Sequence, residues 1–101
     1  MNSTSESPAP GLIIHQPVNG FRYSAEAFWL AGFALEAGWP HTAIDIGTGS
    51  GIVGGLLAAN GVHVDALDVR KEWEPYWART LSGSTLLGVL RFHQADVAKG
   101  W

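Results

Sequence analysis

Apolar residues recur along the 101-residue chain in two rhythms, and the switches between them outline its elements. Thr42 to Ile46 is a short apolar run that predicts a strand. Ile52 to Asn60 predicts an apolar helix, closed by Asn60-Gly61. Val62 to Val69 predicts a second strand, without clean alternation between faces, as in a parallel strand covered on both sides. Trp73, Tyr76, Trp77 and Thr80 or Leu81 form a further helical stripe, in which Pro75 is tolerable only in the first turn. Ser82-Gly83-Ser84 breaks that helix, and Gly88 to Ala95 reads as a third strand. Strand-helix-strand-helix-strand with short connections predicts an α/β fold over residues 41–101. The expected form is a Rossmann-like three-layer sandwich, the first half of a doubly wound parallel sheet.

Upstream the pattern is weaker. Residues 1–10 are polar, rich in Ser and Pro and aperiodic, and read as a flexible tail. Residues 11–40 read as an arm and a helix. The arm holds Leu12, Ile13 and Ile14, then turn-forming residues around Pro17, Asn19 and Gly20, so an irregular arm or short hairpin is expected. Ser24 is a suitable N-cap, with Glu26 in the first turn where the helix dipole favours an anion. Phe28, Ala31 and Leu35 follow at helical spacing until Gly38-Trp39-Pro40 stops the helix. Trp29, Leu30 and Phe33 make it apolar over much of its circumference, so cover on more than one side is expected.

Composition narrows the classes. The chain is 47% hydrophobic and 15% charged, which supplies a core and argues against disorder. A net charge of −3 provides no general electrostatic footprint for nucleic acid. With no Cys there is no disulfide or thiolate chemistry. No apolar run approaches the ~18 residues of a membrane span. No basic stretch leads into an apolar core as in a secretory signal, and a cytoplasmic location is expected.

The candidate chemistry lies in Asp45-Ile46-Gly47-Thr48-Gly49-Ser50-Gly51, between the first core strand and its helix. Glycines there let the backbone turn tightly and approach a ligand, and a helix N-terminus presents N–H groups and partial positive charge. Asp68 ends the second strand, where a carboxylate can accept from both ribose hydroxyls; Asp96 follows the third, placed to meet an adenine edge. A glycine turn alone is often only a packing device. Strand before, helix after and acid at the end of the next strand together point to a nucleotide cofactor. Gly49-Ser50-Gly51-Ile52-Val53-Gly54 also satisfies the dinucleotide pattern, so an NAD(P)- or FAD-binding oxidoreductase is the alternative. Asp45 tilts the choice: its carboxylate suits a cationic amino-acid moiety and would repel a pyrophosphate, which favours S-adenosylmethionine.

Asp45 to Gly51, Asp68 and Asp96 resemble the first three motifs of class I S-adenosylmethionine-dependent methyltransferases. Gln16-Pro17-Val18-Asn19-Gly20-Phe21-Arg22-Tyr23-Ser24-Ala25-Glu26 looks like the arm that precedes the core in the tRNA1(Val) adenine-N6 methyltransferase-like group of the small methyltransferase domain superfamily. Glu26 stands where that group has Asp. The resemblance covers roughly residues 11 to 98 and implies a seven-stranded sheet, of which this chain holds strands in the order 3-2-1. It implies that Asp45 and Gly47, Thr48, Gly49, Ser50 and Gly51 hold the methionine part of the cofactor. Asp68 would bind the ribose, Val69 would pack on adenine, and Asp96 would contact the adenine amino group. Arg22, Tyr23 and Ser24 would lie over the cofactor mouth. The implied reaction is N-methylation of a tRNA adenine or another amino nitrogen. The Asn-Pro-Pro-Tyr-type tetrapeptide of such enzymes, which follows the fourth strand, does not occur in the 101 residues. The chain therefore reads as an amino-terminal part, inactive alone, with an open sheet edge available for self-association. A non-catalytic Rossmann-like module that binds a partner is a third reading.

The remaining chemistry-bearing residues carry less. His15, His41, His63 and His93 show no i, i+3 or i, i+4 pairing, so no metal site is expected. Trp73, Tyr76 and Trp77 fit core or interface positions better than a base-stacking platform. Arg70-Lys71 is too short a basic run to indicate nucleic acid, and no nucleophile elbow or paired hydrolase carboxylates occur.

Overall fold

The computed structural model describes residues 3–17, 25–36, 38 and 41–99. Strands β1 (Ser3–Ala9) and β2 (Leu12–Pro17) form an antiparallel hairpin; helix α1 (Ala25–Glu36) follows. Strand β3 (Thr42–Ile46), helix α2 (Ile52–Ala59), strand β4 (His63–Asp68), helix α3 (Glu74–Gly83) and strand β5 (Val89–Gln94) then alternate. Single 3-10 turns at Lys71–Trp73 and Val97–Lys99 follow β4 and β5. The sheet is parallel in the order β3-β4-β5, with Asp45 opposite Ala66 and Ala66 opposite Phe92. This is the mixed α/β arrangement expected of residues 41–101, with Pro75 in the first turn of α3 as required.

Both crossover helices lie on one face of the sheet. A Cβ on Gly54 of α2 would stand 3.1 Å from Val64 and 3.5 Å from Leu90, so glycine here leaves room for α2 to lie close on the sheet. Trp77 of α3 stacks on Phe92 of β5 on that same face, ring centroids 4.9 Å apart. Right-handed crossovers that step in one direction across a sheet produce this one-sided cover. The expected second helical layer is not found among the described residues. The third layer is the hairpin, whose Leu12 and Ile14 pack against Gly55 of α2. The backbone amides of Ile13 and His15 donate to Ser84 Oγ and Thr80 Oγ1, tying β2 to α3. Ile44 and Ile46, on the uncovered face of β3, are more than half exposed.

The reading of residues 1–10 as a flexible tail is corrected: Ser3–Ala9 is strand β1. Its Ser5, Glu6 and Ser7 face solvent, so no apolar alternation marks the strand, and the register shift between Glu6 and Ala9 accommodates Pro8, which cannot donate to a ladder. The hairpin turns at Pro10-Gly11; the turn expected around Pro17, Asn19 and Gly20 falls, beyond Pro17, outside the described residues. Gly11 has φ +80° and a Cβ there would collide with the carbonyl of Thr85. Helix α1 buries Ala31 against the core but leaves Trp29, Leu30 and Phe33 exposed, so the cover expected on its other sides is not present among the described residues. No helix of the described residues is long and apolar enough to cross a membrane.

Candidate functional site

The glycine loop leaves β3 at Ile46 and enters α2 at Ile52, turning on three glycines with positive φ: Gly47 (+73°), Gly49 (+56°) and Gly51 (+92°). Each is a left-handed conformation that strains an L side chain. The loop is held from every side. Asp45 Oδ2 accepts from the Thr48 hydroxyl at 2.6 Å and from the Gly54 amide at 3.1 Å. The Thr48 amide donates to Leu67 O on the neighbouring strand at 2.8 Å. Asp68 Oδ2 accepts from the Gly49 amide at 3.0 Å, and the indole N–H of Trp77 donates to Gly49 O at 2.7 Å. A Cβ on Gly51 would lie 2.6 Å from the Phe92 ring, so this glycine is required by the Trp77–Phe92 stack.

Beside the loop, at the carboxyl ends of the three strands, is an open cleft of about 220 Å³. Its walls come from the three strand ends in turn: Ile46 and Gly47; Leu67, Asp68 and Val69; Ala95, Asp96 and Ala98. Four residues marked in the sequence therefore meet there, Gly47, Asp68, Val69 and Asp96. Thr48, Ser50 and Gly51 are instead buried within the loop, and Asp45 lies behind it, against α2. Arg22 and Tyr23, like Ser24, fall outside the described residues.

Two acids are tuned in opposite directions. Burial pushes the Asp45 carboxyl above its ordinary value, assisted by the charge of Asp68, against the lowering hydrogen bonds from Thr48 and Gly54. Burial also acts to raise Asp68, but hydrogen bonds from the Arg70 backbone and side chain and from Gly49 together outweigh it and hold the group below its ordinary value. Asp68 is thus a carboxylate engaged on both oxygens: besides the Gly49 bond to Oδ2, Oδ1 takes the Arg70 amide at 2.9 Å and Nε at 3.3 Å. The Arg70 side chain is more than half exposed and lies 5.4 Å from the Trp73 ring centroid. Asp96 caps the turn that follows it, accepting from the Ala98 amide at 3.0 Å.

Three supports escaped the sequence reading: Trp77 and Phe92, which shape the loop from below, and Arg70, which covers Asp68. The signal for Trp77 was its indole N–H, which needs a partner once buried. His93 Nε2 donates to Asp65 Oδ1 at 2.8 Å on the uncovered sheet face, and Arg91 Nε is 3.3 Å from the same oxygen. No group of three or more metal-ligating side chains occurs among the described residues. Neither a sequence model of a known family nor any curated protein matches this chain, so its functional reading rests on the residues themselves.

Proposed function

We propose that this chain is the cofactor-binding part of an S-adenosylmethionine-dependent N-methyltransferase, with the adenine of a tRNA or another amino nitrogen as acceptor. The observation that carries the reading is the convergence of Gly47, Asp68-Val69 and Asp96 on one cleft at the strand ends. The lining fits an adenosine. Ile46, Leu67, Val69, Ala95 and Ala98 offer apolar contact to a flat base, while Asp68 and Asp96 offer acceptors for a ribose diol and an amino group. To receive the diol, Asp68 exchanges the guanidinium of Arg70, whose side chain is more than half exposed, for a hydroxyl. Bound there, the cofactor would supply a methyl group on an electrophilic sulfonium. No residue of this chain is assigned to activation of the acceptor.

The dinucleotide alternative is less well supported. Its fingerprint begins directly after the strand, whereas Gly49-x-Gly51-x-x-Gly54 starts two residues beyond Gly47, which itself follows β3. The carboxylate of Asp45, bonded to the amide of Gly54 in the first turn of α2, also opposes a pyrophosphate at that helix end. A cytoplasmic location and self-association along the unpaired side of β3 belong to the same proposal.

Calorimetric titration with S-adenosylhomocysteine and with NAD tests it. The homocysteine compound is expected to bind and Asp68→Ala to abolish binding. Binding of NAD alone would overturn the reading.

A further inference from the structure

Asp68 lines the cleft with a side chain only 4% exposed, so its acceptor positions are few and their occupants can be named. A carboxylate has about four such positions, two on each oxygen. On Oδ2 the Gly49 amide takes one at 3.0 Å, and among the described residues nothing takes the other. On Oδ1 both are filled by a single residue, through the Arg70 amide at 2.9 Å and the Arg70 Nε at 3.3 Å. These two donors differ in how readily they leave. The amide belongs to the main chain between β4 and the 3-10 turn at Lys71–Trp73, so its bond lasts as long as that connection stays folded. The guanidinium sits at the longer distance on a side chain 56% exposed. It also has a second seat, because its central carbon already lies 5.4 Å from the Trp73 ring centroid. A hydroxyl arriving at Asp68 therefore finds an open position on Oδ2. A second hydroxyl finds its position on Oδ1 held by a displaceable cation.

We infer that Arg70 sets how strongly the cleft distinguishes a ribose diol from a sugar with one hydroxyl, an inference that rests on the reading of the cleft as an adenosine site. One hydroxyl of the diol donates to Oδ2 and displaces nothing. The other donates to Oδ1 only as Nε withdraws onto Trp73, so its gain is the hydroxyl–carboxylate bond less the ion pair it replaces. Hydrogen bonds to a charged group are stronger than an exposed ion pair, so the exchange runs forward, but the pair subtracts from the advantage of the diol. The reduction is up to about fivefold in affinity. Arg70 acts through Asp68 and is a positioning residue. A ligand that lacks the displacing hydroxyl leaves it in place.

The test titrates adenosine, 2′-deoxyadenosine, 3′-deoxyadenosine and S-adenosylhomocysteine into the 101-residue chain and into Arg70→Met, whose side chain keeps an apolar stem for Trp73. R70M is expected to bind adenosine and the homocysteine compound about two- to fivefold more tightly than the wild type. That gain should vanish for one of the two deoxynucleosides, the one without the hydroxyl that takes Oδ1. A purely structural role for Arg70 would instead weaken all four ligands together. Salt gives a second readout. Screening loosens the Arg70–Asp68 pair, so wild-type affinity for uncharged adenosine should rise with ionic strength while that of R70M stays flat. In the wild type, the Arg70 Nε–H resonance should also shift when adenosine binds, which needs no variant. Equal binding of adenosine by wild type and R70M, a gain shared by all four ligands, or an unmoved resonance overturns the role of Arg70 and leaves the adenosine site standing. Failure of both adenosine and S-adenosylhomocysteine to bind the wild type overturns the two together.

Discussion

Gly51→Ala puts the support of the loop to a quantitative test. The new methyl meets two separate penalties. The backbone holds φ at +92°, a conformation that costs an L residue about 1–2 kcal/mol. The Cβ would also stand 2.6 Å from two atoms of the Phe92 ring, which cannot retreat because its other face is stacked on Trp77. Overpacking of that kind costs about 1–3 kcal/mol, for a total of about 2–5 kcal/mol. A domain of this size has roughly 5–15 kcal/mol in all, so G51A should lose a large share of its stability. Gly61→Ala is the control: φ is +95°, and no atom lies within 4 Å of its Cβ, so only the backbone penalty applies. Urea denaturation of wild type, G51A, G61A, Phe92→Ala and the G51A/F92A double variant closes the cycle. With the ring gone, the G51A penalty should fall to that of G61A. If G51A costs no more than G61A with Phe92 in place, the claim that the stacked ring dictates glycine at 51 is wrong.

Further expectations follow from the same contacts. Trp77→Phe keeps a ring on Phe92 but leaves Gly49 O without its indole donor; a loss of about 1–2 kcal/mol and weaker S-adenosylhomocysteine binding are expected, and unchanged binding would sever Trp77 from the loop. Since the folded pKa of Asp68 is depressed, its contribution to stability is present above the unfolded value and is lost as pH falls through the lowered folded value. Replacing it with Asn should flatten the acid limb of a pH–stability curve, and an unchanged limb would contradict the assignment. Asp45 has the opposite sign: its raised pKa means it protonates first on acidification, so affinity for a cationic ligand should fall before the circular dichroism changes. For the exposed strand edge, Ile46→Lys should shift sedimentation toward monomer, whereas a wild type that is already monomeric at all concentrations would dismiss self-association.

The core of the fold was legible because each of its elements carries a local signature. A five-residue apolar strand, a helix stopped by Asn60-Gly61 and glycines at 47, 49 and 51 are short-range facts of covalent geometry and side-chain periodicity. So was the cleft in part: an acid after each of two successive strands reaches the same edge in any parallel sheet, which is why Asp68 and Asp96 meet there. Strand β1 was not legible, since its outward residues are solvated and its existence depends on the ladder with β2. The division of labour within the loop was also hidden. Sequence treats Gly47 and Gly51 alike, yet Gly47 lines the cleft and Gly51 yields to Phe92, some forty residues away. Gln16 shows the same limit: spacing reveals an amide on a strand, but only the packing of β2 over α2 and α3 buries it without a partner. The sequence alone determined which residues gather at the strand ends and in the glycine loop as candidates for a site. The tertiary structure decided which face the cleft and which brace it, because that depends on contacts between segments far apart in the chain.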